Sequence, residues 1–392
     1  MEKLSEQTKL RPWMGFALFA AVMAIFIFGF VPLQQNLGIP GLIITELGFL
    51  VIAVVYCLIR KIKLTEMFPI KKVKVREVFG AIFMVLGMFP ISIMLVAITA
   101  LIFPAATAEV DELNSFVYGN LGFPAAVLLI AVMPAICEEA IHRGAILSHF
   151  RSLKYDWLIV LIMGLFFGIN HMSVLRFLTT MTLGLFLTYV VVKKNNLLLS
   201  MIMHFTNNLI SVVLTYALGG GSTGSANANY TSVLGTYLII GCLSPVFITL
   251  GLMLLRPEAH KKIKFLWAAI LSVVMLVTGF GINAYNSAKN TLLNSMISYE
   301  ITADSQEDSS LYFDVEEEHT ATVVVMVAGA EGDYTVRIDG DSGSNIINAE
   351  VPEGTIRMMT YNVVLQPDHY TVTVIAGDNA IGENPQIQVT VQ

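Results

Sequence analysis

The stretch FPAAVLLIAVMPAICEEAIHRGAIL, residues 123–147, decides the class of this protein. It is an apolar run long enough to cross a bilayer, yet Glu138, Glu139 and Arg143 lie within it. A charged side chain at bilayer depth costs roughly 2.5–3.5 kcal/mol on insertion scales, so it must be satisfied by other side chains, water or a metal. The stretch therefore predicts a transmembrane helix that carries part of a functional site.

The chain as a whole is also strongly apolar. Of its 392 residues, 55% are hydrophobic and 13% are charged, a composition that is far from that of a soluble domain. Apolar runs predict about eight or nine transmembrane helices, of which the fifth and sixth are short and close together. The predicted cores are Trp13–Val31, Leu42–Leu58, Val78–Phe103, Phe123–Leu147, Trp157–Asn170, Phe177–Val192, Leu197–Leu218, Leu234–Leu255 and Phe265–Ala284.

The charges divide the chain into two modules. Ser298–Gln392 contains 17 acidic and 2 basic residues, a net charge of −15, and the remainder contains 12 acidic and 21 basic residues, a net charge of +9. Basic residues are concentrated in alternate loops of the membrane part, with Arg176 as the exception. The positive-inside rule then predicts a cytoplasmic N-terminus and a C-terminal module outside the cell membrane.

The acidic module has the alternation and turn signals of short β-strands. The predicted strands are Ala321–Val327, Tyr334–Ile338, Ile346–Val351, Thr355–Leu365, Tyr370–Ile375 and Gln386–Val391. Strands at this spacing favour a small β-sandwich. The predicted fold class is therefore mostly α, a polytopic helical membrane bundle with a C-terminal extracytoplasmic β-sandwich. Its predicted parts are N-terminal helices (1–122), a core with the polar residues (123–218), C-terminal helices (219–284), a linker (285–308) and the sandwich (309–392).

Polar residues also occur in two later apolar runs. His171 ends the sequence Phe-Gly-Ile-Asn-His, and His204 and Asn208 are four residues apart in a later run. At about 1.5 Å per residue, Glu138, His171, His204 and Asn208 lie roughly 10–20 Å above the predicted cytoplasmic ends of their helices. Because the helices alternate in direction and still bring these residues to similar depth, we expect one buried polar pocket.

These side chains suit the activation of water. Glu139 and Arg143 are spaced to pair on one helix face, which leaves Glu138 free to face the pocket. A carboxylate with an imidazole can deprotonate water, and a second imidazole with an amide can donate to an oxyanion. Alternatively, the pocket residues could bind Zn²⁺, which lowers the pKa of bound water to about 7. The residues leave the zinc and metal-free alternatives equally open; the zinc ligands would be Glu138, His171, His204 and Asn208.

The three motifs Glu-Glu-x-x-x-Arg, Phe-x-x-x-His and His-x-x-x-Asn occur here in this order, each in its own apolar helix. In this the chain resembles the CPBP intramembrane endopeptidases, which include CAAX prenyl proteases and bacteriocin-processing relatives. The resemblance covers roughly Phe123 to Leu218. It implies an endopeptidase that cuts at or within the membrane, with Glu138 and His171 positioning and deprotonating water. It further implies that His204 and Asn208 form the oxyanion or metal side, and that Glu139 and Arg143 support the first motif.

Two function classes follow from the same residues. The first is a protease whose partners are the bilayer and a membrane-associated or lipidated peptide substrate, with no role for nucleic acid. The second is a non-catalytic immunity or transport protein that uses the polar cluster to bind a ligand or protons. The sequence has neither an internal repeat nor a paired set of broken helices, and this weighs against a transporter.

Overall fold

The computed structural model describes residues 10–106, 116–217, 230–259, 262–298, 301–304, 306–329, 331–343, 345–351 and 356–392. The chain divides into one unit that ends at Ile282 and a second, Asn283–Gln392. Leu218 and Thr355, the predicted ends of a span and of a strand, lie outside the described residues.

The first unit is helical. Among the described residues, eight helices are long and apolar enough to cross a membrane, and one further apolar helix, Asp156–Asn170, is shorter. This confirms the predicted polytopic bundle. In chain order the helices are α1 Pro12–Leu37, α2 Ile39–Ile59, α3 Val75–Ala100, α4 Phe123–Ile146, α5 Asp156–Asn170, α6 Val174–Lys194, α7 Leu197–Ala217, α8 Val233–Leu255 and α9 Ile263–Ala288.

Helices α5 and α6 form a hairpin with a three-residue turn. Met172 in the turn has a left-handed backbone with φ of 46°, and the Ser173 side chain accepts a hydrogen bond from the Arg176 amide at the start of α6. The backbones of the two helices approach closely at Gly184. A Cβ added to Gly184 would lie 3.0 Å from the Gly164 Cα and 2.8 Å from the Phe167 Cβ. Small residues allow this close approach between membrane helices.

We therefore expect Gly184→Ala to lower stability by about 1–3 kcal/mol, the usual cost of overpacking a tight contact. Gly281→Ala on α9 is the matched control, since a Cβ at Gly281 would meet nothing within 4 Å. That control should be neutral or stabilising by up to about 1 kcal/mol, since alanine favours helix more than glycine does. Thermal unfolding midpoints in one detergent would compare the variants, and equal midpoints would contradict the close packing.

The second unit is an antiparallel β-sandwich, as predicted from the strand pattern. Its strands are β1 Leu293–Ser298, β2 Glu307–Val315, β3 His319–Ala328, β4 Tyr334–Gly340, β5 Asn345–Val351, β6 Ile356–Leu365, β7 Asp368–Ala376 and β8 Gln386–Val391. They form two four-stranded sheets in the orders β1-β8-β3-β6 and β2-β7-β4-β5. Both sheets contribute to one apolar core, in which Val325, Val336, Val372 and Val389 are buried.

The structure adds two strands to the six predicted ones. The stretch 285–308, which we predicted to be a linker, contains β1 and the first residues of β2. In β1 only Leu293 and Ile297 are buried, while Asn294, Met296 and Ser298 are exposed. Two inward-facing apolar residues form too short a pattern to distinguish an edge strand from a polar connecting segment.

Candidate active site

Helix α4 places Glu139 and Arg143 on one face, and both side chains are fully buried. Arg143 Nη1 donates to Glu139 Oε1 at 2.7 Å, as the four-residue spacing predicts. The same guanidinium reaches α6, where it donates to the Gly184 carbonyl at 3.2 Å and to the Thr188 hydroxyl at 3.4 Å. The buried charge of Arg143 is thus neutralised and hydrogen-bonded, as a buried ion requires, and it joins α4 to the α5–α6 hairpin.

His204 on α7 lies between the two glutamates of α4. Its Nδ1 is 3.1 Å from Glu139 Oε1, and its Nε2 is 4.0 Å from Glu138 Oε2. A carboxylate on one ring nitrogen fixes the orientation of an imidazole and the proton on that nitrogen. Glu139 therefore holds His204 so that its second nitrogen points toward Glu138.

Glu138 is buried but incompletely satisfied. Its side chain is 11% exposed, and among the described residues its Oε2 has no hydrogen-bond partner. The 4.0 Å separation from His204 Nε2 is too long for a direct hydrogen bond. It suits two polar atoms that contact the same small molecule, such as one water.

His171 joins the site through Phe167. His171 directly follows α5, and its Nδ1 lies 2.8 Å from the Phe167 carbonyl oxygen. The Phe167 ring contacts His171, His142 and His204 with centroid separations of 4.9, 5.2 and 5.6 Å. The Arg143 guanidinium carbon also lies 4.3 Å from the ring centroid. Phe167 is thus the apolar centre around which α4, α5 and α7 bring their polar side chains together.

Asn208 is held in position by a hydrogen bond to the backbone of α4. Pro134 on α4 has no N–H, so the carbonyl of Ile130 lacks the donor that an uninterrupted helix would supply. Asn208 Nδ2 donates to this carbonyl at 2.9 Å, and its Oδ1 accepts from Asn207 at 3.0 Å. The amide therefore ties α7 to α4 one turn from His204. Its role at an oxyanion stays a prediction.

The zinc alternative has a weaker fit. Among the described residues, no group of three His, Cys, Asp or Glu side chains could hold a metal ion. Asn208 is engaged with Ile130, and Nδ1 of His204 with Glu139. Protein zinc sites use three or four ligands at about 2.0–2.3 Å. We therefore derive no catalytic step through a metal.

Two charged residues beyond the six that the sequence singled out contribute to the electrostatics of this site. Glu46 on α2 interacts electrostatically with Glu138, and Arg176 on α6 interacts with both Glu138 and His171. Both left a signal in the sequence. Glu46 is the one charge in the run Leu42–Leu58, and Arg176 is the exception to the loop charge pattern.

One comparison with known proteins covers the segment that contains these residues. The family model described as type II CAAX prenyl endopeptidase Rce1-like matches residues 120–210. This range contains all six of the predicted site residues. No curated protein and no solved structure matches the chain. The segment that builds the buried cluster is thus similar to type II CAAX prenyl endopeptidases of the Rce1-like kind.

Proposed function

We propose that this chain is an intramembrane endopeptidase that activates water with Glu138 and an imidazole. Its substrate would be a peptide bond in a membrane-associated or lipidated polypeptide. The observation that carries the proposal is the unpartnered Glu138 Oε2, which faces His204 Nε2 across 4.0 Å in a buried cluster. The family match to peptidases supports the same reaction class.

In the proposed reaction, Glu138 accepts a proton from water as the water oxygen bonds to the scissile carbonyl carbon. His171 accepts a hydrogen bond from the same water through Nε2, because its Nδ1 donates to the Phe167 carbonyl. The carbonyl π electrons move to oxygen and form an oxyanion, to which the imidazolium form of His204 donates through Nε2 while its Nδ1 donates to Glu139. The C–N bond then breaks, and the leaving nitrogen takes the proton that Glu138 accepted. A positioned general acid and base of this kind contributes about 10²–10⁴-fold in rate.

The surrounding side chains would support this step rather than take part in it. Glu139 holds the His204 ring, and Arg143 holds Glu139. Phe167 keeps the space between the imidazoles apolar. Fixed hydrogen-bond donors in such a dry site stabilise developing charge more than they would in water.

We also propose, from the loop charges, that the N-terminus is cytoplasmic and that the sandwich lies outside the plasma membrane. Basic residues are concentrated in alternate loops of the membrane part, and the positive-inside rule expects such loops to be cytoplasmic. A reporter that is active only outside the cytoplasm, fused after Gln392, should be active. An inactive fusion together with an active cytoplasmic reporter would reverse the proposed orientation.

The reaction class is testable without knowing the natural substrate. The full chain in lipid nanodiscs would be incubated, in ¹⁸O-labelled water, with a panel of membrane-anchored peptides, both lipidated and unlipidated. We expect cleavage with ¹⁸O in each new C-terminal carboxylate, because water supplies the attacking oxygen. Absence of cleavage from the whole panel and from native membranes, with folded protein, would favour the non-catalytic alternative.

A further inference from the structure

The connection between α2 and α3, residues 60–74, combines a positive charge with exposed apolar side chains. It contains six basic residues and one acidic residue, Glu66, which gives a net charge of +5. Leu64 in this connection is 46% exposed, and Ile70 is 61% exposed. Such side chains suit the membrane surface, where they contact acyl chains while neighbouring lysines extend to the headgroups. The composition therefore indicates a segment at the level of the lipid headgroups.

This basic connection is held in a defined position by α7. The Lys71 amide donates to Asn196 Oδ1 at 3.1 Å, and Asn196 Nδ2 donates to the Lys71 carbonyl at 3.0 Å. The amide of Leu197, the first residue of α7, donates to the Pro69 carbonyl at 2.7 Å. Because these bonds fix the backbone, the lysines of the connection start from fixed positions beside the helix bundle.

The lysines of the basic connection have no acidic partners. Four of them are exposed, namely Lys61, Lys63, Lys71 and Lys72. In the described ranges, no ion pair joins these four side chains to an acidic group. The lysines at the end of α6 differ, because Lys193 pairs with Asp156 and Lys194 pairs with Glu77, each at 2.5 Å. The basic connection thus presents positive charge that the protein itself does not neutralise.

An apolar cavity of about 390 Å³ is lined by the same connection. Leu64, which directly follows Lys63, and Ile70, which directly precedes Lys71, both line it. Its other walls include side chains of α2, α4 and α7, and Thr65 is the one polar residue in its lining. The volume lies within the range of about 300–1,000 Å³ that is usual for small-molecule sites. Lysines therefore flank, along the chain, the residues that form one wall of an apolar cavity.

We propose that this cavity binds an acyl chain of an anionic phospholipid, whose phosphate contacts the lysines of the basic connection. Charge complementarity selects this occupant, since clusters of lysine beside a membrane helix attract anionic headgroups. A neutral lipid would leave the lysines unpaired, and a soluble anion would leave the apolar cavity unfilled. The bound chain would also contact α4 and α7, the helices that carry Glu138 and His204. This proposal goes beyond the protease reaction and does not depend on it.

The headgroup contact is tested by native mass spectrometry of the full chain in a neutral detergent. The chain is titrated with phosphatidylglycerol or with phosphatidylcholine of the same acyl chains, and we expect the first phosphatidylglycerol to bind roughly tenfold more tightly or better. Changing Lys71→Gln together with Lys72→Gln should weaken phosphatidylglycerol binding by about tenfold and leave phosphatidylcholine binding unchanged. The matched control, Lys261→Gln with Lys262→Gln, removes the same charge from another Lys-Lys pair and should bind as the unchanged chain does. Equal affinity for the two lipids, or equal losses in the two double variants, would overturn the proposal.

The acyl-chain contact is tested with Val54→Phe, which adds volume to the cavity wall. It should weaken the first phosphatidylglycerol by about tenfold, the effect of excluding about two methylene groups from an apolar site. The control is Val55→Phe, at a residue that is 45% exposed and does not line the cavity. If Val54→Phe fails to fold, Thr65→Phe fills the cavity from an exposed position on the connection.

Two results with the acyl chain would contradict the proposal. The first is equal binding by the cavity-filling variant and by Val55→Phe. The second is displacement of phosphatidylglycerol by farnesol, an uncharged isoprenoid alcohol, with the same affinity in the unchanged chain and in the Lys71→Gln, Lys72→Gln variant. That result would assign the cavity to a neutral lipid chain, such as one carried by a substrate.

Discussion

Glu138→Gln is expected to lower peptide cleavage by about 10²–10⁴-fold while the protein still folds, because this is the usual contribution of a general base. Glutamine has nearly the shape of glutamate but cannot accept the proton of water. Within the described part of the chain, Glu138 Oε2 makes no hydrogen bond that the change would break, so the cluster of Glu139, Arg143 and His204 should persist. The measurement is the initial rate of cleavage of the membrane-anchored peptide panel by the full chain in nanodiscs.

The matched control is Glu258→Gln, which makes the same chemical change at a side chain that is 70% exposed. It should retain the original rate and the original unfolding midpoint. A Glu138→Gln protein with unaltered cleavage would contradict the proposed base. A Glu138→Gln protein with a greatly lowered midpoint would indicate a structural role, and cleavage rates would then have to be compared at a temperature where both proteins are folded.

Much of the fold could be predicted because its signals are local. A helix in lipid requires a long apolar run, and a sheet with one buried face requires alternating apolar and polar residues. The spans and six of the eight strands can therefore be recognised from the order of residues in the sequence. The 15-residue α5 falls below the usual spanning length, in line with the short fifth run that the sequence predicts. Strand β1 was missed because its role depends on pairing with β8, nearly a hundred residues away.

The sequence indicated candidate residues for the site but not the contacts between them. The i,i+4 pair Glu139–Arg143 follows from helical spacing, and the structure shows it. The contact of His204 with Glu139 depends on the rotation of α7 against α4, which the sequence does not encode locally. The bond from Asn208 to Ile130 depends on a proline in another helix. Phe167 opens the Phe-x-x-x-His motif, but the position of its ring between three histidines depends on how three helices pack.

The second prediction with a large effect concerns the contribution of the buried Glu139–Arg143 ion pair to stability. Arg143→Met should lower the free energy of unfolding by about 3–5 kcal/mol, since removing one member of a buried pair leaves an uncompensated charge on the other. Glu139 would lose its cationic partner, and α6 would lose the donors to Gly184 and Thr188. Unfolding by SDS in mixed micelles, followed by circular dichroism, measures the change.

Two further variants make this result specific to burial. Lys193→Met breaks an ion pair with Asp156 whose side chains are 27% and 49% exposed, and an exposed pair of this kind contributes only about 0–1 kcal/mol. The double change Glu139→Gln with Arg143→Met removes both charges, and it should be less destabilised than Arg143→Met alone because no unpaired charge remains. If Arg143→Met were no worse than Lys193→Met, Arg143 would not be holding α4 against α6 as the contacts indicate. If the double variant were as unstable as the single one, the loss would come from missing packing on Phe167 rather than from the uncompensated charge of Glu139.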